Sequence, residues 1–156
     1  MANSYSQIYI HYVFAVKGRQ NLLQKAWRDE VFKYMSGTIK SKKEKPIIIN
    51  GVSDHVHAFV GFNTPMDYSD LIRDIKNNSS KFINDKKFVR GKFEWQEGYG
   101  AFSYSHSGIQ NVYDYILRQE EHHHKRTFKE EYLDLLQKLK LDMTKNTSLN
   151  GLNKSK

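Results

Sequence analysis

The chain has 156 residues, a formal charge of +8 and no cysteine. Its length favours one domain, long enough to bury about two-thirds of the unfolded surface. Without cysteine there is no disulfide scaffold, thiolate metal site or cysteine nucleophile. No apolar run approaches the roughly 20 residues that span a bilayer, and the N-terminal segment lacks the basic, apolar, small-residue order of a secretory signal, so the reading is a cytoplasmic protein with no membrane partner.

From Gln7 to Val16 the sequence alternates, with Ile8, Ile10, Tyr12, Phe14 and Val16 on one face, the period of a strand. Asn21 to Ser41 switches to helical spacing, with Leu23, Trp27, Val31, Tyr34 and Met35 as its stripe. Pro46 to Gly51 reads as a second strand, and a short turn at Ser53-Asp54 leads into a third, His55 to Gly61, so the two form an antiparallel hairpin. Pro65 and Asp67 announce a second helix with Leu71, Ile72, Ile75, Phe82 and Ile83 on its buried side. Ala101 to Ser105 reads as a fourth strand and Ile109 to about His123 as a third helix. A last helix runs from about Thr127 to Lys140, with Thr127 and Glu130 as a capping box. Residues 1–142 are expected to form the domain, and 143–156, polar and rich in Asn, Ser and Lys, a disordered tail.

Strand, helix, strand, strand, helix, strand is the split βαβ order of an α+β, ferredoxin-like fold: one antiparallel sheet with helices on one face, plus C-terminal helices. Such a sheet leaves its other face open, and that face needs a job or a partner.

The chemistry-bearing residues start with His55-Val56-His57. On a strand, side chains at i and i+2 point the same way, so both imidazoles leave one face and Val56 the other. Two neutral imidazoles a few ångströms apart are half of a divalent-metal site, or two exposed histidines on a solvent-facing strand. Tyr115 and Gln119, four apart in the third helix, share one of its faces, where a phenol and an amide oxygen can approach a common point or simply pack. Arg73 to Lys92 holds seven basic residues against two acidic ones, followed by Trp95 and Tyr99. Cations grip phosphates and rings grip bases, so Lys17, Arg19, Arg73, Lys76, Lys81, Arg90, Lys92, Trp95 and Tyr99 are the candidates for nucleic-acid contact. The run His122-His123-His124 cannot aim three rings at one ion, since helical neighbours are about 100° apart.

In order and spacing these pieces resemble the single-tyrosine HUH transposases of the insertion sequence 200/605 family (IS200-like transposases). The resemblance runs through His11-Tyr12-Val13-Phe14-Ala15-Val16-Lys17-Gly18-Arg19, Asp54-His55-Val56-His57-Ala58-Phe59-Val60, Trp95-Gln96-Glu97-Gly98-Tyr99, Tyr115-Ile116-Leu117-Arg118-Gln119, then His122-His123 and Thr127-Phe128. Gly18 departs from it, standing where the family often has an aromatic residue. The resemblance implies a DNA transposase. His55, His57 and Gln119 would ligate Mg²⁺ or Mn²⁺, and Tyr115 would be the nucleophile that cleaves and rejoins single-stranded DNA at hairpin-bearing transposon ends through a 5′-phosphotyrosine. It also implies a homodimer whose active sites are shared, the tyrosine helix of one protomer completing the histidine pair of the other. The competing readings are a domesticated relative that processes repeated chromosomal hairpins, a non-catalytic single-stranded nucleic-acid-binding module, and a metal-dependent hydrolase that uses water.

Overall fold

The computed structural model describes residues 7–121 and 127–138. Its elements are β1 (Ile8–Ala15), α1 (Lys25–Ser41), β2 (Lys45–Gly51), β3 (His55–Phe62), α2 (Tyr68–Lys86), β4 (Gly100–Tyr104), α3 (Ile109–Leu117) and α4 (Phe128–Lys138). The chain divides into two compact units at the Glu120–Glu121 bond.

The sheet has the order β2-β3-β1-β4, every neighbouring pair antiparallel. β3 is therefore inserted between β1 and β2, and β1 between β3 and β4, which is the split βαβ arrangement in both halves. The alternation of β1 sends Ile10, Tyr12 and Phe14 to the same side as Val56, Ala58, Val60 and Phe62 of β3, where they meet Val31, Met35 and Ile39 of α1 and Leu71, Ile72, Ile75 and Ile83 of α2. Burying each such side chain is worth about 1.5–3 kcal/mol, so this layer is the main source of stability.

α2 starts where the sequence indicates: the Asp67 carboxylate accepts from the Ser69 backbone N–H at 2.8 Å, satisfying a donor of the first turn. α1 begins at Lys25 rather than Asn21, because Gln24 is extended; Leu23, outside the helix, is still buried in the core. Tyr34 is 41 % exposed and stacks on Phe82 at 4.2 Å between centroids, an outer contact between the two helices rather than a core one. In α4 the capping box is made: the Thr127 N–H donates to the Glu130 carboxylate at 2.9 Å, and the Glu130 N–H to the Thr127 hydroxyl at 3.2 Å.

The second face of the sheet is not open. α3 lies on it, with Val112 and Ile116 packed on Phe59 of β3 among Tyr9, Ile47, Ile48 and Tyr104. This covering helix is also shorter than its periodicity indicates. It ends at Leu117, and Arg118 leaves helical geometry at φ −100°, ψ 32°. Asn50 of β2 holds that end, its side-chain N–H₂ donating to the carbonyls of Ile116 at 3.0 Å and Leu117 at 3.2 Å. His122, His123 and His124 lie outside the described residues, as does the chain beyond Lys138.

Candidate functional site

His55 and His57 project from β3 towards the face that α3 covers, and Val56 between them is buried in the helical layer. They are not solvent-facing: both are essentially fully buried. Their rings lie 5.1 Å apart at 68°. The turn before them is tight. At Gly51 an added Cβ would come within 2.5 Å of the His55 carbonyl oxygen, so only glycine lets β2 pass the start of β3.

Each imidazole is held through its Nδ1. His55 Nδ1 is 2.7 Å from the Asp54 carboxylate, and His57 Nδ1 is 2.7 Å from Nε2 of His11. A carboxylate can only accept, so His55 donates from Nδ1, and in the neutral ring this leaves the lone pair on Nε2. A ring nitrogen hydrogen-bonded on one side and a lone pair on the other is the usual state of a metal-ligating histidine. The donor set thus fits a divalent cation.

Tyr115 is half-buried, its ring 5.8 Å from that of His57 at 80° and 6.5 Å from that of His11. Within one chain, the tyrosine ring thus stands beside the histidine pair. Gln119 is fully buried. It does not sit on the same continuous helix as Tyr115, since Arg118 breaks the backbone between them and helical geometry resumes at 119–121. The next residue, Glu120, anchors this segment: its carboxylate takes a hydrogen bond from the buried guanidinium of Arg28 at 2.9 Å, and Lys25 adds a pair at 3.6 Å.

A family model described as "Transposase IS200 like" matches residues 4–119. The chain belongs to the IS200-like transposase family. Among solved structures, a Deinococcus radiodurans R1 protein assigned as a transposase matches with a TM-score of 0.62 at 16 % identity, over 76 % of this chain and 95 % of that one. A REP-associated tyrosine transposase, solved bound to a REP hairpin, matches with a TM-score of 0.56 at 13 % identity, over 74 % of this chain and 68 % of that one. Both likenesses concern the fold. Curated proteins gave no match.

The basic side chains of this transposase are differently placed. Lys17 and Lys92 both pair with Glu94, at 3.1 and 3.8 Å, and the hydrogen bond from Lys17 holds the Glu94 carboxyl below its ordinary range. Arg73 pairs with Asp70 and Asp74, and Lys81 with Asp85. Lys76 is turned inward. Its ammonium donates to the carbonyls of Gln96 at 2.8 Å and Gly98 at 2.9 Å, and burial pulls its pKa down. Trp95 belongs to the core, with Phe14 and Phe93 packed edge-to-face at 4.8 Å each and its N–H given to Ser79. Its ring is thus committed to packing rather than base stacking. Tyr99 is 37 % exposed. Among the described residues, Arg19 and Arg90 are exposed and form no ion pair.

Sequence reasoning gave no role to His11, Asp54, Asn50 or Arg28. A histidine in mid-strand on the face away from the apolar alternation was the available signal for His11; its link to His57 depends on β1 lying beside β3.

No described helix is long and apolar enough to cross a membrane.

Proposed function

We propose that this transposase is a metal-dependent DNA-strand transferase that cuts and rejoins single-stranded DNA at hairpin-bearing transposon ends, with Tyr115 as nucleophile. The observation that carries the reading is the Tyr115 ring 5.8 Å from His57, beside a histidine pair whose Nδ1 atoms are both engaged. His55, His57 and Gln119 would hold Mg²⁺ or Mn²⁺. A bound ion supplies polarisation of a non-bridging phosphate oxygen and charge stabilisation of the leaving oxygen.

The remaining work falls to the chain. Tyr115 gives up its phenolic proton and its oxygen attacks the phosphorus of a phosphodiester. The bond from phosphorus to the 3′-oxygen breaks, its electron pair goes to that oxygen, and a proton completes the 3′-hydroxyl. The product is a 5′-phosphotyrosine. Attack by another 3′-hydroxyl reverses the step and restores the phenol, so rejoining needs no nucleotide energy source. Exposed cations such as Arg19 and Arg90 would meet phosphates of the bound strand. The hairpin in the REP-associated structure supports a hairpin substrate here. Two cleavages at the two ends of one element suit a homodimer, in which the tyrosine helix of one protomer can complete the histidine pair of the other.

Tyr115→Phe tests the assignment. With a hairpin-bearing single strand and Mn²⁺, the variant binds DNA as the parent does and yields no covalent protein–DNA adduct on denaturing gels. An undiminished adduct would sink the proposal, and cleavage without an adduct in the parent would point to water as the nucleophile.

A further inference from the structure

We propose that His11 is a positioning residue for the metal site, the hydrogen-bond acceptor that fixes His57 in the tautomer whose Nε2 faces a cation; the inference rests on the histidine-pair reading above. His11 and His57 are both fully buried, their rings stack at 5.0 Å and 29°, and His11 Nε2 lies 2.7 Å from His57 Nδ1. The backbone sets this up. β1 pairs with β3 so that His11 stands opposite Phe59 and Val13 opposite His57, which makes the two histidines diagonal neighbours on one face.

At 2.7 Å, two neutral imidazole nitrogens need one proton between them, and only one ring can donate it. If His57 donates from Nδ1, its lone pair is on Nε2, the tautomer able to ligate. If His11 donates instead, His57 uses the Nδ1 lone pair as acceptor, and its Nε2 carries hydrogen and cannot bind an ion. His11 therefore serves the site only as the acceptor, with its own proton on Nδ1. It does for His57 what the Asp54 carboxylate does for His55. The two ligands are thus oriented by different chemistry, a carboxylate for one and an imidazole for the other. Such outer partners fix ring orientation and raise ligand basicity, and losing one typically costs about 10–100-fold in metal affinity.

The test uses the full chain. His11→Leu removes the acceptor, and His11→Gln keeps an oxygen that can accept from His57 Nδ1. Mn²⁺ binding is measured by calorimetry for the parent, both variants and His57→Ala. Long-range ¹H–¹⁵N spectra of the metal-free proteins, taken where the rings are neutral, report which nitrogen of His57 is protonated. The proposal expects His57 protonated on Nδ1 in the parent, a shift towards Nε2–H in His11→Leu, Mn²⁺ affinity about 10–100-fold lower in His11→Leu, and recovery to within a few-fold in His11→Gln. His57 protonated on Nε2 in the parent, or parental affinity in a folded His11→Leu, overturns it. If the parent shows no Mn²⁺ binding that His57→Ala removes, the metal reading fails, and the spectra still judge the role of His11. Should His11→Leu not fold, His11→Phe keeps a planar ring without an acceptor and takes its place.

Discussion

Asn50 offers the sharpest way to perturb the tyrosine without touching it. Its side chain donates to the last two carbonyls of α3, those of Ile116 and Leu117. These are among the four acceptors that a helix C-terminus leaves unsatisfied. Asn50→Ala removes both bonds, each worth about 0.5–1.5 kcal/mol net. Leu117 is 55 % exposed, so its carbonyl can recover a water, whereas Ile116 is fully buried and its bond should dominate. The expected cost is then about 1.5 kcal/mol, the lower half of the two-bond range. For a chain of this size that lowers Tm by about 3–6 °C. If the loss is local, amide exchange across 109–117 quickens about tenfold while the β1 and β3 amides hold. Adduct formation should fall in step, because Tyr115 spends less time at His57. Asn50→Asp supplies the control: it also lacks the donors and adds a negative charge at the negative end of the helix, so it must cost more than alanine. Equal exchange in α3 for Asn50→Ala and parent, or an aspartate variant more stable than the alanine one, would refute the reasoning.

Lys76→Met should act on stability rather than on phosphate binding, because the ammonium is spent on the Gln96 and Gly98 carbonyls. Two carbonyls lose a charged donor at a cost of about 1–3 kcal/mol, while the salt dependence of DNA binding keeps its slope; a slope reduced by about 0.7 would instead mark Lys76 as a phosphate contact. Asp67→Asn tests the start of α2. Hydrogen bonds from Ser69 hold the Asp67 carboxyl below its ordinary value, so its contribution is present above that ordinary value and is lost as pH falls through the lowered one. The asparagine variant, which still caps, should therefore lose less stability than the parent between about pH 5 and pH 2 in chemical denaturation, and parallel pH curves would count against this reading.

The fold was legible because its signals are local. The alternation of β1, the capping box at Thr127 and the Asp67 cap are each written within a few residues, and the structure holds all three. The end of α3 was not, because the apolar spacing continues past Leu117 and the break at Arg118 is held from elsewhere, by Asn50 in β2 and by Arg28 in α1 through Glu120. The i, i+4 argument for Tyr115 and Gln119 assumed one continuous helix, and the turn at Arg118 falls between them. A count of charge along the chain does not show its partners: Asp70 and Asp74 pair with Arg73, Asp85 with Lys81 and Glu94 with Lys92.

The site itself shows why the covered face matters. α3 buries Val112 and Ile116 on Phe59, and these positions, with Ile109, recur at helical spacing. Tyr115 precedes Ile116 and follows Val112 by three, so it lies on the flank of the buried stripe. Phe59 is two residues beyond His57 on the same face of β3. Seating the stripe on Phe59 therefore carries the phenol towards the histidines, and the contact that closes the apolar face of the sheet also places Tyr115. His11, diagonal to His57 and opposite Phe59, joins the two functions: its ring lies 6.4 Å from that of Phe59, while its Nε2 meets His57. Folding and site assembly are one packing event here, which is why the histidine pair was readable as a motif but its supporting residues were not.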